Sequence, residues 1–273
     1  MKTITVCPAG RRRYLELLVP HLKYQHSIGA IDEHQWWLNT KNTPDIAYIE
    51  EVTLKNNWMK IIPSKMTPWG IQTIFPFYED AIEEAVYIKI DDDVVWMDKD
   101  AIANLVNCKL KYRENSFVLA NTINNPTCNF IHQKFGCLPL EIANLKLYEE
   151  NKEDWYDGKV AEKIHLNFLS KYHTDQLNEY LFSIWMLDSY MSINFIAWIG
   201  SDIGDALKWP SNIWPKEFTD EQCFNTMFPL LSQRPNIICG TSLVAHFSFF
   251  KQRKHLDSTN LLEEYKKLLP GKE

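Results

Sequence analysis

Three consecutive carboxylates, Asp91-Asp92-Asp93, close the apolar run Ala85-Val86-Tyr87-Ile88-Lys89-Ile90, and a second apolar run, Val94-Val95-Trp96-Met97, follows them. Unpaired charges are too costly to bury inside a strand. The triplet is therefore expected where a buried parallel strand leaves its sheet, which is where open α/β sheets bind ligands. Adjacent carboxylates repel one another, and a divalent cation relieves the conflict. Mg²⁺ or Mn²⁺ carrying a phosphorylated ligand suits such oxygen donors. The ordinary alternative is a solvated acidic turn, and the apolarity of the preceding run counts against it.

Other residues with chemical potential lie far along the chain. Thr219-Asp220-Glu221-Gln222 opens a predicted helix carrying Phe224, Met227 and Phe228. Acidic residues at a helix start are commonly caps. His246 stands among Val244, Phe247 and Phe249, where a buried imidazole needs a specific partner. Near the N-terminus, the β-branched run Thr3–Cys7 ends in Pro8-Ala9-Gly10, and a helical pattern begins at Arg11-Arg12-Arg13. A strand, a small-residue turn and a helix start make a corner suited to phosphate or nucleotide. No Gly-x-Gly-x-x-Gly or Walker pattern is present, which disfavours dinucleotide binding and P-loop chemistry.

Ile88-Lys89-Ile90-Asp91-Asp92-Asp93-Val94-Val95 resembles the Asp-x-Asp segment of GT-A-fold, nucleotide-sugar-dependent glycosyltransferases. Val244-Ala245-His246-Phe247-Ser248 and Ile193-Asn194-Phe195 further resemble cytosolic glycosyltransferase-like proteins of large DNA viruses, fungi and bacteria. The resemblance spans roughly residues 3–250. It implies a metal-dependent transfer of a sugar from a nucleoside-diphosphate sugar to a hydroxyl of a glycan or glycoprotein, with inversion. By the same resemblance, Pro8, Ala9, Gly10 and Arg13 hold the nucleotide, Asp91 and Asp92 lie on the ribose and donor side, and Asp93 and His246 bind Mn²⁺ or Mg²⁺. Asp220 or Glu221 is the implied base, with Glu221 favoured if Asp220 is occupied as the helix cap. Two rivals stand beside this reading: a sugar nucleotidyltransferase, and a non-enzymatic carbohydrate-binding protein using the aromatics as stacking platforms.

Composition narrows the field. The 273 residues are 45% hydrophobic and 23% charged, ordinary for a globular protein. A net charge of −6 with no basic run beyond the arginine triplet argues against broad nucleic-acid binding. The six cysteines form no Cys-x-x-Cys pair, so a zinc cluster is not expected, and Cys7 and Cys239 read as buried thiols. Cys128 and Cys137 are spaced to pair, although a chain of this size needs no staple. No run of some 18 apolar residues occurs, and the N-terminus lacks a signal-peptide pattern, so a cytoplasmic protein without a membrane span is expected.

The elements that must position these residues follow. Strands are expected at Thr3–Cys7, Gln35–Leu38, Trp58–Ile62, before the Asp triplet and at Phe117–Ala120, alternating with helices over the first hundred residues. That order predicts a mostly parallel, Rossmann-like sheet flanked by helices in a single α/β domain. Residues 1–100 would hold the nucleotide sugar, and residues 101–273 would build the acceptor and catalytic side. Pro20 and Pro76 are expected to kink or end their helices. Asn121–Cys137 reads as a long polar loop, Leu140–His173 as exposed helices or a flap, Gln176–Leu187 as helix, Met191–Trp198 as a half-buried strand and Gly200–Asp205 as a turn. Trp209-Pro210 and Trp214-Pro215 are expected to brace that turn, and Asn260–Leu269 to form a terminal helix.

Overall fold

The computed structural model describes residues 1–65, 74–81, 84–142, 156–187, 191–207 and 219–271. The strands are β1 (Thr3–Ala9), β2 (Glu33–Leu38), β3 (Met59–Pro63), β4 (Val86–Ile90), β5 (Val94–Met97), β6 (Val118–Ile123), β7 (Ile184–Leu187), β8 (Phe195–Ile199) and β9 (Asn236–His246). The helices are α1 (Arg12–Ser27), α2 (Thr43–Leu54), α3 (Phe75–Tyr78), α4 (Ala101–Lys111), α5 (Pro126–Lys134), α6 (Gly158–His173) and α7 (Gly200–Leu207). After them, α8 begins at Asp220–Gln222, widens into a π turn over Cys223–Met227 and closes at Phe228–Ser232; α9 (Arg253–Leu256) and α10 (Leu261–Lys267) end the chain.

The strands form one mixed sheet in the order β3-β2-β1-β4-β8-β6-β9-β5, with β7 also on β9. The β3-β2-β1-β4 half is wholly parallel, and β8 runs antiparallel to both β4 and β6. β-Branched and aromatic residues fill the central strands, and all five residues of β4 are buried. Ile88 and Ile90 point to one core with Leu15, Leu18 and Ile102, whereas Tyr87 points to another with Tyr78, Trp198 and Phe224. A third cluster packs β5 against α6 and α10. The result is a single α/β domain, as the alternation of patterns predicts.

β9 is the structural spine of the C-terminal half. Its eleven residues pair with β6 along one edge and with β7 and then β5 along the other. Gly240 is required there, since a Cβ would overlap the carbonyl of Phe182.

Several expectations are corrected. Pro20 lies inside α1, which continues seven residues further to Ser27. Pro76 starts α3 rather than kinking a helix, because an N-terminal turn has no use for the missing N–H. Asn121–Cys137 is not a loop: β6 runs on to Ile123, and Asn125 caps α5 by accepting from the N–H of Thr127 and Cys128. α6 buries Val160, Ile164, Phe168 and Leu169, so it is a core helix. Gln176–Leu187 is a short 3₁₀ turn followed by β7, Gly200–Leu207 is a helix, and Phe195–Ile199 is buried throughout. All six cysteines are free and buried, Cys128 and Cys137 included. Residues 143–155 of the expected flap and the two Trp-Pro pairs lie outside the described residues.

Burial also makes the fold acid-sensitive. It pushes His21, His34 and His132 down from 6.5 to about 3, and His165 to about 4. Among the described residues, His21 Nε2, His34 Nε2 and His132 Nδ1 have no hydrogen-bond partner to compensate a proton there. Below about pH 6.5 the unfolded chain takes up protons that the native state refuses, and stability falls with pH by up to ~1.4 kcal/mol per unit for each such ring. The urea midpoint is therefore expected to drop steadily from pH 7 to pH 5. A flat midpoint over that window would contradict neutral burial of these rings.

Candidate active site

The sheet delivers the Asp triplet to one end of the molecule. β4 stops at Ile90, and the N–H of Asp91 donates to the carbonyl of Asn194, just before antiparallel β8 (2.9 Å). Val94 N–H donates back to Asp91 O (3.1 Å), a tight turn that leads directly into β5. β5 pairs with the end of β9 so that Val94 lies opposite His246, and Phe247 N–H donates to Asp93 O (2.8 Å). Backbone pairing thus brings the triplet and His246 together across the sequence.

Each carboxylate has its own environment. Asp91 accepts from Lys89 Nζ (2.5 Å) on one oxygen and from Asn194 Nδ2 (3.1 Å) on the other. Asp92 is buried and accepts from Gly10 N–H (3.1 Å) and from the Arg11 guanidinium. Asp93 is buried, with Oδ2 paired to Arg11 Nη1 (2.8 Å) and Oδ1 3.3 Å from His246 Nε2. Burial alone would raise the Asp93 carboxyl, yet Arg11, His246 and Arg253 hold it well below the usual carboxylate range.

The sequence corner at residues 8–13 resolves into distinct roles. Pro8, Ala9, Gly10 and Arg11 line the cavity, whereas Arg13 turns away to pair with Asp257 (2.9 Å) and lie over the Tyr14 ring. Three adjacent arginines are indistinguishable by type. Arg11 precedes the first turn of α1 and reaches the triplet; Arg13 lies inside the helix, on another face.

Across the same cavity, α8 presents Asp220 and Glu221. The N-cap is Thr219, in a capping box with Gln222, so neither carboxylate serves as the cap. Asp220 is buried, accepts from Tyr78 Oη (3.1 Å) and from Glu221 N–H (2.9 Å), and has its pKa raised by burial against the opposing pull of Lys89. Lys89 is itself buried, on the Tyr87 side of β4, and also donates to Ile193 O (3.0 Å). Burial disfavours its charge, but Asp91 and Asp220 more than offset this and raise its pKa.

These groups enclose a cavity of about 790 Å³ lined also by Asn39, Thr40, Ser192, Asn194, Ser248, Phe249, Phe250 and Arg253. Neither Lys89, Arg11 nor Arg253 figures among the sequence candidates. Lys89 was legible as a lone cation in an apolar strand, two residues from a carboxylate.

The donor set fits a divalent cation. Asp91, Asp93 and His246 each offer one ligand atom, all within 4.8 Å of one another. Asp93 Oδ1 and His246 Nδ1 are buried without a hydrogen-bond partner among the described residues, which is costly unless something else meets the site's polar groups. Two carboxylates and an imidazole suit Mn²⁺ or a similar ion.

No protein-family model matches the chain, and no curated protein matches it by sequence. Solved structures match its fold. S. aureus TarS, residues 1–349, superposes with a TM-score of 0.54 at 10% identity, covering 98% of this chain and 71% of that one. The mannosyltransferase PcManGT from Pyrobaculum calidifontis, solved with GDP-Man and Mn²⁺, gives 0.50 at 9% identity, over 99% and 70%. The 4-diphosphocytidyl-2C-methyl-D-erythritol synthase of Anaerococcus prevotii gives 0.50 at 11% identity, over 95% and 96%. The architecture is therefore the GT-A-like α/β fold. Within it, the chain is similar in fold to a mannosyltransferase and to a 4-diphosphocytidyl-2C-methyl-D-erythritol synthase alike. Among the described residues, no helix is long and apolar enough to cross a membrane.

Proposed function

We propose that this protein is a metal-dependent glycosyltransferase that moves a sugar from a nucleoside-diphosphate sugar to a hydroxyl of a glycan or glycoprotein, with inversion. One observation carries the reading: Asp91, Asp93 and His246 form a metal-ready cluster in the same cavity as the Asp220–Glu221 helix start. One wall can take a diphosphate and the other a hydroxyl proton. Pro8, Ala9 and Gly10 form the nucleotide side together with Asp91 and Asp92, so the donor half is residues 1–100 and the acceptor half residues 101–273.

Mn²⁺ or Mg²⁺ would be held by Asp93 and His246, with Asp91 adjacent, and would supply Lewis-acid neutralisation of the diphosphate. The chain's own residues do the rest. Arg11 and the Gly10 N–H fix Asp92 and keep the β1 turn closed against the triplet. Tyr78 and the Glu221 N–H hold Asp220 in the cavity wall. Glu221, which lines the same cavity, is the base that takes the acceptor's proton.

The nucleotidyltransferase reading is supported by the synthase likeness. Against it, the loop after β1 has its main donors engaged, Gly10 N–H and Arg11 both on Asp92, rather than open to cradle a triphosphate. The test is an assay with Mn²⁺ against common nucleotide sugars and simple glycan acceptors, beside one for pyrophosphate release from nucleoside triphosphates. Sugar transfer or donor hydrolysis is expected. Pyrophosphate release alone would replace this reading with the nucleotidyl one, and metal-free glycan binding without nucleoside-diphosphate affinity would mark a binding protein.

A further inference from the structure

The cations of the cavity differ in how they are engaged. Arg11 directs its guanidinium at Asp92 and Asp93, and Lys89 donates to Asp91 and the Ile193 carbonyl. Arg253, at the start of α9, makes no such side-chain bonds among the described residues, and its buried Nε has no hydrogen-bond partner among them. Its Nη2 stands 3.9 Å from Asp93 Oδ2, close enough for attraction but too far for a hydrogen bond. Among the described residues its ring contact is with Phe250, 5.9 Å from the guanidinium carbon, and Phe250 is itself 77% exposed at the cavity.

A buried N–H without an acceptor is unfavourable, and the side chain keeps 27% of its surface exposed at the cavity, where a ligand can offer acceptors to the rest of the guanidinium. The planar fork of arginine matches phosphate oxygens two at a time. The acceptor must be an anion able to lie beside Asp93, whose own negative charge would repel it unless a cation bridges them. A phosphoryl group sharing the divalent ion of the Asp93 seat meets that condition.

We propose that Arg253 is a catalytic residue that binds the sugar-proximal phosphoryl group of the donor and stabilises the leaving diphosphate. This rests on the glycosyl-transfer reading above. In that reaction the acceptor oxygen forms a bond to the anomeric carbon, and its proton passes to Glu221. The bond from the anomeric carbon to the phosphate oxygen breaks, and its electron pair stays on that oxygen. The nucleoside diphosphate leaves with one more negative charge, and Arg253 faces the group on which that charge appears.

The test is calorimetric titration of the parent, Arg253→Gln, Arg253→Lys and the surface control Lys254→Gln. The probes are MnCl₂ alone, then UDP, GDP, CDP, dTDP and inorganic pyrophosphate in the presence of Mn²⁺. Arg253→Gln is expected to weaken the preferred nucleoside diphosphate at least tenfold. Its affinity for Mn²⁺ alone should hold or tighten, because a cation has been removed from beside Asp93. Arg253→Lys should fall between, and Lys254→Gln should match the parent. Nucleoside-diphosphate affinity unchanged in Arg253→Gln overturns the proposal, as does a parallel loss of Mn²⁺ binding, which would mark a merely structural role. A parent that binds pyrophosphate but no nucleoside diphosphate also overturns it. A parent that binds nucleoside diphosphate through Arg253, yet transfers no sugar, overturns the glycosyl-transfer reading and leaves the phosphoryl contact standing.

Discussion

In an Asp93→Ala variant, nucleoside diphosphates are expected to bind no better with Mn²⁺ than without it. Asp93 is the carboxylate of the triplet with a buried oxygen unpartnered among the described residues, and it shares the ligand cluster with His246. Removing a primary ligand should cost metal affinity on the order of 10²-fold or more, since even changes outside the ligand shell cost about 10- to 100-fold. Metal-free binding should survive or improve, because Arg11 and Arg253 lose the anion that now attracts them. Titration of the variant with a nucleoside diphosphate, with and without Mn²⁺, decides the matter. A Mn²⁺ enhancement equal to that of the parent would move the metal seat elsewhere. Asp91→Ala is a poorer probe. It strips buried Lys89 of its closest anion, a change that costs ~3–5 kcal/mol in folding and confuses any binding result.

The second large effect concerns the helix start. Glu221→Gln is expected to lower turnover by about 10²- to 10⁴-fold, the usual contribution of a general base, while donor affinity is kept. Asp220→Asn should cost less in turnover. Its oxygens are engaged by Tyr78 and by the Glu221 N–H, and it lies deeper than its neighbour. An asparagine can still accept from Tyr78, so its loss falls mainly on how Lys89 and Glu221 are held. The measurement is single-turnover transfer beside donor binding for both variants. If Asp220→Asn is the more damaging, the two roles are exchanged; if neither matters, the proton goes to another group and inversion through this pair is abandoned.

The parts legible in the sequence are those where local pattern and tertiary demand agree. Thr3–Ala9 and Val86–Ile90 are β-branched strands buried in the sheet, and a carboxylate run at a strand end marks its edge without ambiguity. Gly200–Asp205 reads as a turn because glycine, serine and aspartate favour turns, yet it lies in the helix Gly200–Leu207 with Ile203 buried. At α5 the Asn125-Pro126 pair is an ordinary helix-start signal, hidden by the polar composition around it. At β7 the short edge strand owes its form to β9 rather than to its own sequence. The choice of Arg11 over Arg13 depends on which residue precedes the first helical turn, and the Thr219 cap depends on a side-chain hydrogen bond. Neither is a property of residue type. Arg253 is the clearest omission, since nothing in its local pattern separates it from a solvated cation.

The pairing of Val94 with His246 has a consequence for how the protein is made. Residues 93 and 246 enter during synthesis far apart in time, and the cluster they share cannot exist until β9 has docked between β6 and its other neighbours. Until then the triplet stands without its histidine, at the free edge of an unfinished sheet. Contacts of such long sequence separation form slowly and late. On the proposed reading, ion binding at this cluster is expected only after β9 has docked, with no signal from a nascent chain that has not yet released its C-terminal strand.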